Sequence, residues 1–371
     1  MIAWKETLRR MDPMLLLYLL LLGILGLITL YAAVHQGDTG LWKRQCLYWL
    51  LGLVLFFGIC FIPLRSVALF SWPVYIIAVI SLALVPWIGE IQMGARRWLN
   101  LGLFHIQPSE IVKWALMLLL AHWFASREAS SLKGLGGAVL LSSIPVVFII
   151  MQPDLGTALV LLFAASAMLF AAGLPWRWFT YGLITALISL PVMWRNMHAY
   201  QKERILSFLN PQSDPLGAGY HVIQSTISIG SGGIFGKGYL QGTQARLHFL
   251  PEQHTDFIFA VLAEEGGLVI SILLLVLYGL FLSRILTIGA RASTRFSSLV
   301  CIGIATIFML YICINIGMVS GVLPVVGVPL PFVSYGGSAL ITMLASLGVV
   351  MRVAIESNGR IPWQRPGNPL A

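Results

Sequence analysis

Charge is what this sequence has least of. Asp, Glu, Lys and Arg make up 10% of its 371 residues, where a soluble chain carries about a quarter. That shortage excludes a soluble globular protein. The 58% of hydrophobic residues excludes a disordered one. Cysteine is scarce too. Cys46, Cys60, Cys301 and Cys313 form no CxxC or Cys/His pattern, which excludes a disulfide scaffold and a zinc-binding one. Cys60, Cys301 and Cys313 lie in apolar runs and read as small buried residues. Sustained internal repeats, low-complexity tracts and any sign of a second domain are also missing.

What the sequence does have is long apolar runs, with a mean hydropathy of +0.88. At roughly 20 residues per span they suffice for about ten transmembrane helices. The segments are Met14–Ala33, Leu47–Ile62, Trp72–Ile88, Ile111–Ala125, Gly136–Met151, Leu155–Ala172, Trp178–Trp194, Phe257–Leu282, Ser297–Val319 and Ser338–Val353. The fold class is therefore all-α, one polytopic transmembrane domain over residues 1–371. Its 36 glycines and 18 prolines do not oppose this, because spans tolerate both. The first run follows Lys5, Arg9 and Arg10 and reads as an uncleaved span rather than a signal peptide.

Basic residues in short loops mark the cytoplasmic side. With the N-terminus inside, the inner face holds thirteen of the 23 Lys and Arg residues and only Glu6, Asp12, Glu128 and Glu356 among the acids. The whole net charge of +9 then lies inside, with both termini. The basic balance is a topology signal, not a nucleic-acid footprint. One outer loop, 195–256, is unusual. Loops of roughly sixty residues tend to be functional. Within it Ala199–Leu209 and Tyr220–Ile229 read as short amphipathic helices lying along the membrane interface.

Four polar clusters fall on the outer side: Arg96, Arg97 and Trp98; Glu110 and Lys113; Asp154; and His254 with Asp256, followed by Glu264 and Glu265. Ionisable groups at spans are costly and point to function. Each also has a plainer reading. Glu110 and Lys113, three apart on one helix, either neutralise each other or shape a site. Asp154 and Asp256 both suit helix N-caps. Arg96 and Arg97 are either interface anchors beside Trp98 or a diphosphate clamp. Glu264 and Glu265 lie about 12 Å along the helix from Asp256 and point about 100° apart, so they cannot both face one partner. The glycine-rich stretch Gly230–Gly238 lacks the Walker residues and reads as a flexible loop. His248, His254 and Asp256 match no dedicated metal site. A loosely held Mg²⁺ or Mn²⁺ shared with a diphosphate substrate stays open.

These same stretches resemble the SEDS family of bacterial cell-wall proteins (shape, elongation, division and sporulation). The matching runs are QPSEIVK at 107–113, QPDLGTA at 152–158, DPLGAGYHVIQS at 214–225, LPEQHTDFIFAVLAEE at 250–265 and LPFVSYGGS at 330–338. The stretch NIGMVSGVLPVVGVPLP at 315–331 and the short N-terminal tail resemble the elongation branch more than the division branch. Gly266 departs from the apolar residue that many relatives carry after the Glu pair.

The resemblance implies a peptidoglycan glycosyltransferase in the bacterial cytoplasmic (inner) membrane. It would polymerise lipid II, an undecaprenyl-diphosphate-linked disaccharide pentapeptide, on the outer face. It further implies Asp256 as the catalytic acid residue, and functional weight at Trp98, Glu110, Lys113 and Asp154. Partners would be a class B penicillin-binding protein and the rod-shape scaffold proteins. Asp256 suits a general base for the acceptor hydroxyl. Arg96, Arg97, Lys113, Arg204 or Lys237 would supply charge to the diphosphate, with His254 and Glu264 beside the substrate. The rival readings are a lipid II flippase, which needs a polar path to both faces, and a scaffold without chemistry.

Overall fold

The computed structural model describes residues 2–92, 95–100, 102, 105–196, 202, 218–246 and 252–358. After a short amphipathic α1 (Ile2–Arg9), helices α2 (Pro13–Val34), α3 (Thr39–Cys60) and α4 (Leu64–Ile88) run up, down and up. A small antiparallel sheet follows, of β1 (Glu90–Gln92), β2 (Ala95–Asn100) and β3 (His105–Ile106), in the order β1-β2-β3. Then come α5 (Pro108–Ala125), α6 (Leu132–Met151), α7 (Leu155–Ala171), α8 (Trp176–Asn196), α9 (Ala218–Gly232) and the short α10 (Thr243–Arg246). The chain ends with α11 (Ile258–Ala290), α12 (Arg295–Val319) and α13 (Gly337–Asn358).

All ten apolar runs thus form long helices. Seven of them are long and apolar enough to cross a membrane, so the chain is a multi-pass membrane protein. Local chemistry sets their starts. Asp12, Ser131, Asp154 and Thr294 each accept a hydrogen bond from a first-turn backbone N–H of α2, α6, α7 and α12, as N-caps do. Pro13 and Pro108 sit where a missing N–H is harmless. Helices α5, α12 and α13 are the most enclosed. Phe281 of α11, Phe308 of α12 and Phe332 of the stretch before α13 form an aromatic knot, with ring centroids 5.3–5.6 Å apart. By contrast α8 exposes Tyr181, Leu183, Ile184, Leu187, Ile188 and Val192, as a helix facing lipid would.

One end of the bundle carries the sheet and the starts of α5, α7, α11 and α13. The far end is closed by Arg284, whose guanidinium donates to both oxygens of Asp12 at 2.5–3.1 Å. Arg352 there binds Glu356 and the Cys60 carbonyl.

Helix α11 is broken. Gly267 has φ 66° and ψ −164° inside it, a backbone region open essentially to glycine. The break frees four backbone groups, and all four pair with the stretch 233–238. Lys237 and Gly238 N–H donate to the Glu264 and Glu265 carbonyls at 3.0 and 3.1 Å. Leu268 and Val269 N–H donate to the Gly233 and Ile234 carbonyls at 3.0 and 3.1 Å. The glycine-rich run expected to be a flexible loop is instead a fixed patch on a broken helix. Its glycines serve close backbone approach rather than mobility. The helix expected at Tyr220–Ile229 is α9; the one expected at Ala199–Leu209 lies outside the described residues.

Candidate functional site

Three polar groupings share the sheet end. The first joins β2, α5, α7 and α12. Lys113 donates to Glu110 Oε1 at 2.7 Å and also reaches the Tyr311 hydroxyl. Tyr311 in turn donates to Glu110 Oε2 at 2.9 Å. Glu110, Lys113 and Tyr311 are 3%, 2% and 0% exposed. A buried ion pair survives desolvation only when its remaining groups are bonded, and the phenol meets that need. Above it, Arg97 donates to the Gln152 and Pro153 carbonyls at 3.3 and 2.7 Å. It lies 3.8 Å from Asp154 Oδ2. Asp154 caps α7 by accepting from Thr157 N and Oγ1. Arg96, exposed on β2, donates to the Pro86 carbonyl at 3.1 Å. Trp98 is half-buried and pairs with Glu90 in the sheet.

The second grouping centres on Glu264, which is fully buried. It accepts from Lys237 Nζ at 2.6 Å, Thr243 N at 2.7 Å and Gln244 N at 3.1 Å, with the Thr243 and Ser228 hydroxyls beside it. Glu265 accepts from the backbone of Leu240 and Gly242. Both carboxylates therefore address one segment, 237–244. Within it they take different groups, as their separation of about 100° requires. Glu264 and Lys237 spend their charge on each other and pin this loop to α11.

The third grouping is the turn 252–257 ahead of α11. Three successive carbonyls are held from outside it: His254 O by Tyr335 N at 2.9 Å, Thr255 O by Ser334 Oγ at 2.6 Å, and Asp256 O by Asn315 Nδ2 at 2.9 Å. Asp256 is half-exposed. It is not the N-cap that its place in the sequence suggests; Phe257 holds that position, without a side-chain cap. The His254 ring packs on Tyr335 at 5.8 Å and lies 3.9 Å from Glu252. Burial pushes its imidazole below the ordinary histidine range, and Glu252 opposes that shift.

Of the residues singled out in the sequence, Arg204 and His248 lie outside the described residues. Among the described ones no group of three or more His, Cys, Asp or Glu is placed to hold a metal ion. Tyr311 and Asn315 went unmarked in the sequence reading. Their signal was two polar side chains four residues apart inside an apolar run, which places them on one helix face.

The fold and site together define a polytopic α-helical membrane protein. Buried charge pairs crowd one end, around a half-exposed carboxylate on a clamped turn. Residues 10–359 match the Cell cycle protein family of FtsW, RodA and SpoVE. The peptidoglycan glycosyltransferase MrdB of Escherichia coli K12 is 47% identical over 353 residues, covering 94% of each chain. Stage V sporulation protein E of Bacillus subtilis is 35% identical, covering 92% of this chain and 96% of that one. Among solved structures, a chain from "Structural coordination of polymerization and crosslinking by a peptidoglycan synthase complex" superposes with TM-score 0.83. It is 36% identical, over 94% of this chain and 99% of that one. The rod shape determining protein RodA of Thermus thermophilus gives TM-score 0.72 at 32% identity, over 95% and 98%. The chain belongs to the FtsW/RodA/SpoVE family, and it is a glycosyltransferase.

Proposed function

We propose that this glycosyltransferase polymerises lipid II into glycan strands during cell elongation, at the outer face of the bacterial cytoplasmic membrane, with Asp256 as general base. The observation that carries the reading is the placement of Asp256. Glu110, Asp154, Glu264 and Glu265 are all buried. The half-buried carboxylates at this end are Glu90, Glu252 and Asp256. Of these, Asp256 is the one at the mouth of α11 whose own carbonyl is held by another helix, through Asn315, a place a membrane-anchored substrate would reach.

In the reaction the Asp256 carboxylate takes the proton of the acceptor sugar's C4 hydroxyl. The oxygen attacks C1 of the donor sugar as the C1–O bond to the diphosphate breaks. The α-linked donor becomes a β-1,4 glycan with inversion, and undecaprenyl diphosphate leaves. A diphosphate leaving group needs charge more than a proton, so one carboxylate suffices where most glycosidases need two.

Arg96 and Arg97 are the cations best disposed to supply that charge. Lys113 and Lys237 are committed to Glu110 and Glu264. With no metal-binding cluster among the described residues, a Mg²⁺ or Mn²⁺ ion would be held by the substrate's diphosphate. The strength of likeness to MrdB supports the elongation branch. The synthase-complex relative supports a class B penicillin-binding protein as partner, alongside rod-shape scaffold proteins.

The test is polymerisation by purified protein with its transpeptidase partner, lipid II and Mg²⁺ or Mn²⁺, read as glycan strands on a gel. The reading requires polymer from the wild type and none from well-folded Asp256→Asn. Lipid II transport into vesicles without any polymer would make the flippase the better account.

A further inference from the structure

Asn315 is fully buried near the C-terminal end of an apolar helix, where a bare amide is costly. Its Nδ2 donates to two carbonyls, Asp256 O at 2.9 Å and Val328 O at 2.7 Å. Its Oδ1 is buried with no hydrogen-bond partner. Leucine would fill nearly the same volume but would strand the Asp256 and Val328 carbonyls. Asparagine's two donated bonds therefore both hold this end of the fold together and set its geometry. One of them fixes the backbone of the residue read as the base.

Tyr311, one turn earlier on α12, holds the Glu110–Lys113 pair. Residues four apart lie on one face, about 6 Å along the axis. The same face of α12 therefore touches both the buried ion pair and the Asp256 turn. Next to Val328, the other residue that Asn315 holds, lies Gly327, with φ 73°. A Cβ there would stand 3.2 Å from Asp256 Oδ2, so the carboxylate packs closely against this backbone.

We propose that Asn315 is a positioning residue for Asp256, and that with Tyr311 it makes α12 the strut fixing the base relative to the Glu110–Lys113 pair. This rests on the reading of Asp256 as base. The experiment measures lipid II consumption by the complex with the transpeptidase for wild type, Asp256→Asn, Asn315→Leu and Gly327→Ala. It takes kcat and KM separately and follows folding by thermal melting.

A displacement of about 1 Å at a reacting group costs on the order of 100-fold. Asn315→Leu should therefore lower kcat about 100-fold while KM changes less than about threefold and the melt stays cooperative. Gly327→Ala, which crowds the carboxylate directly, should lower kcat in the same way. It decides the matter if Asn315→Leu does not fold. Inactive Asp256→Asn together with wild-type kcat in the folded variants overturns the positioning role alone. So does activity that falls only with the folded fraction. Active Asp256→Asn overturns the reading of the base itself.

Discussion

Ion pairs close both ends of this bundle, but they differ in kind. At the far end Arg284 grips Asp12 with three contacts of 2.5–3.1 Å, and Arg352 grips Glu356. Both arginines keep partial access to solvent, and the pairs stitch helix ends together. At the sheet end the cations in the closest pairs are lysines. Asp12 is as buried as Glu110. Of these pairs, though, only Glu110–Lys113 has both partners buried, since Lys237 keeps about the access of Arg284. Arginine forks suit a fixed fastening. A buried lysine pair is a weak fastening, because desolvation offsets most of its attraction. The far end is therefore built to hold. The sheet end keeps charge where charge is expensive, which is the mark of a site.

Removing the Asp256 carboxylate from its clamped turn should break the comparison most completely. Asp256→Asn is expected to lower polymerisation about 10³-fold, the middle of the range for a general base, with the thermal midpoint nearly unchanged. Next in size is the buried pair. Lys113→Met alone should destabilise by about 3–5 kcal/mol, since it strands Glu110 in an apolar site. Lys113→Met with Glu110→Leu should recover most of that stability in a chemical-denaturation series. Polymerisation per folded molecule should stay impaired.

At the far end Arg284→Ala should cost about 1.5–3 kcal/mol, the scale of charge-assisted hydrogen bonds, and leave the rate per folded molecule alone. An equal loss of rate there would erase the distinction between the two ends. The smallest effect is with pH. The His254 imidazole is held below its ordinary range, so the unfolded chain takes up protons that the folded one refuses. Its contribution to stability is present above about pH 6.5 and declines as pH falls below it. Melts between pH 7.5 and 5.5 should show the decline, and His254→Asn should flatten it.

Hydropathy and caps made the helices legible. The ten apolar runs became ten helices, and Asp154 became the cap its place before Leu155 suggested. The sheet at 90–106 was not anticipated, because Glu90–Gln92 and Ala95–Asn100 are too short for a period of two to show. The role of Gly230–Gly238 was misread, since its partners lie across the broken α11 and no local pattern announces them. Glu264 and Lys237 looked like two loose charges. Only the fold brings them to 2.6 Å. Tyr311 and Asn315 were hidden by their surroundings, where an apolar run averages away its polar members. The sequence thus revealed which groups are costly, while most of their pairing depended on contacts from 27 to 201 residues apart.

The patched break in α11 bears on how the enzyme meets membranes of unequal thickness. The helix has 33 residues, about 50 Å, against a hydrocarbon core of about 30 Å. The part beyond Gly267 is long enough to span the core by itself. The part before it, which begins one residue after Phe257, is tied to the 233–238 segment and to α9 rather than to lipid. Helices answer thickness by tilting, but the 233–238 segment bonds the backbone on both sides of Gly267, so a tilt of the lower segment is passed to the upper one. The Asp256 turn then moves with the spanning part, and strand synthesis should vary across vesicles of different acyl length.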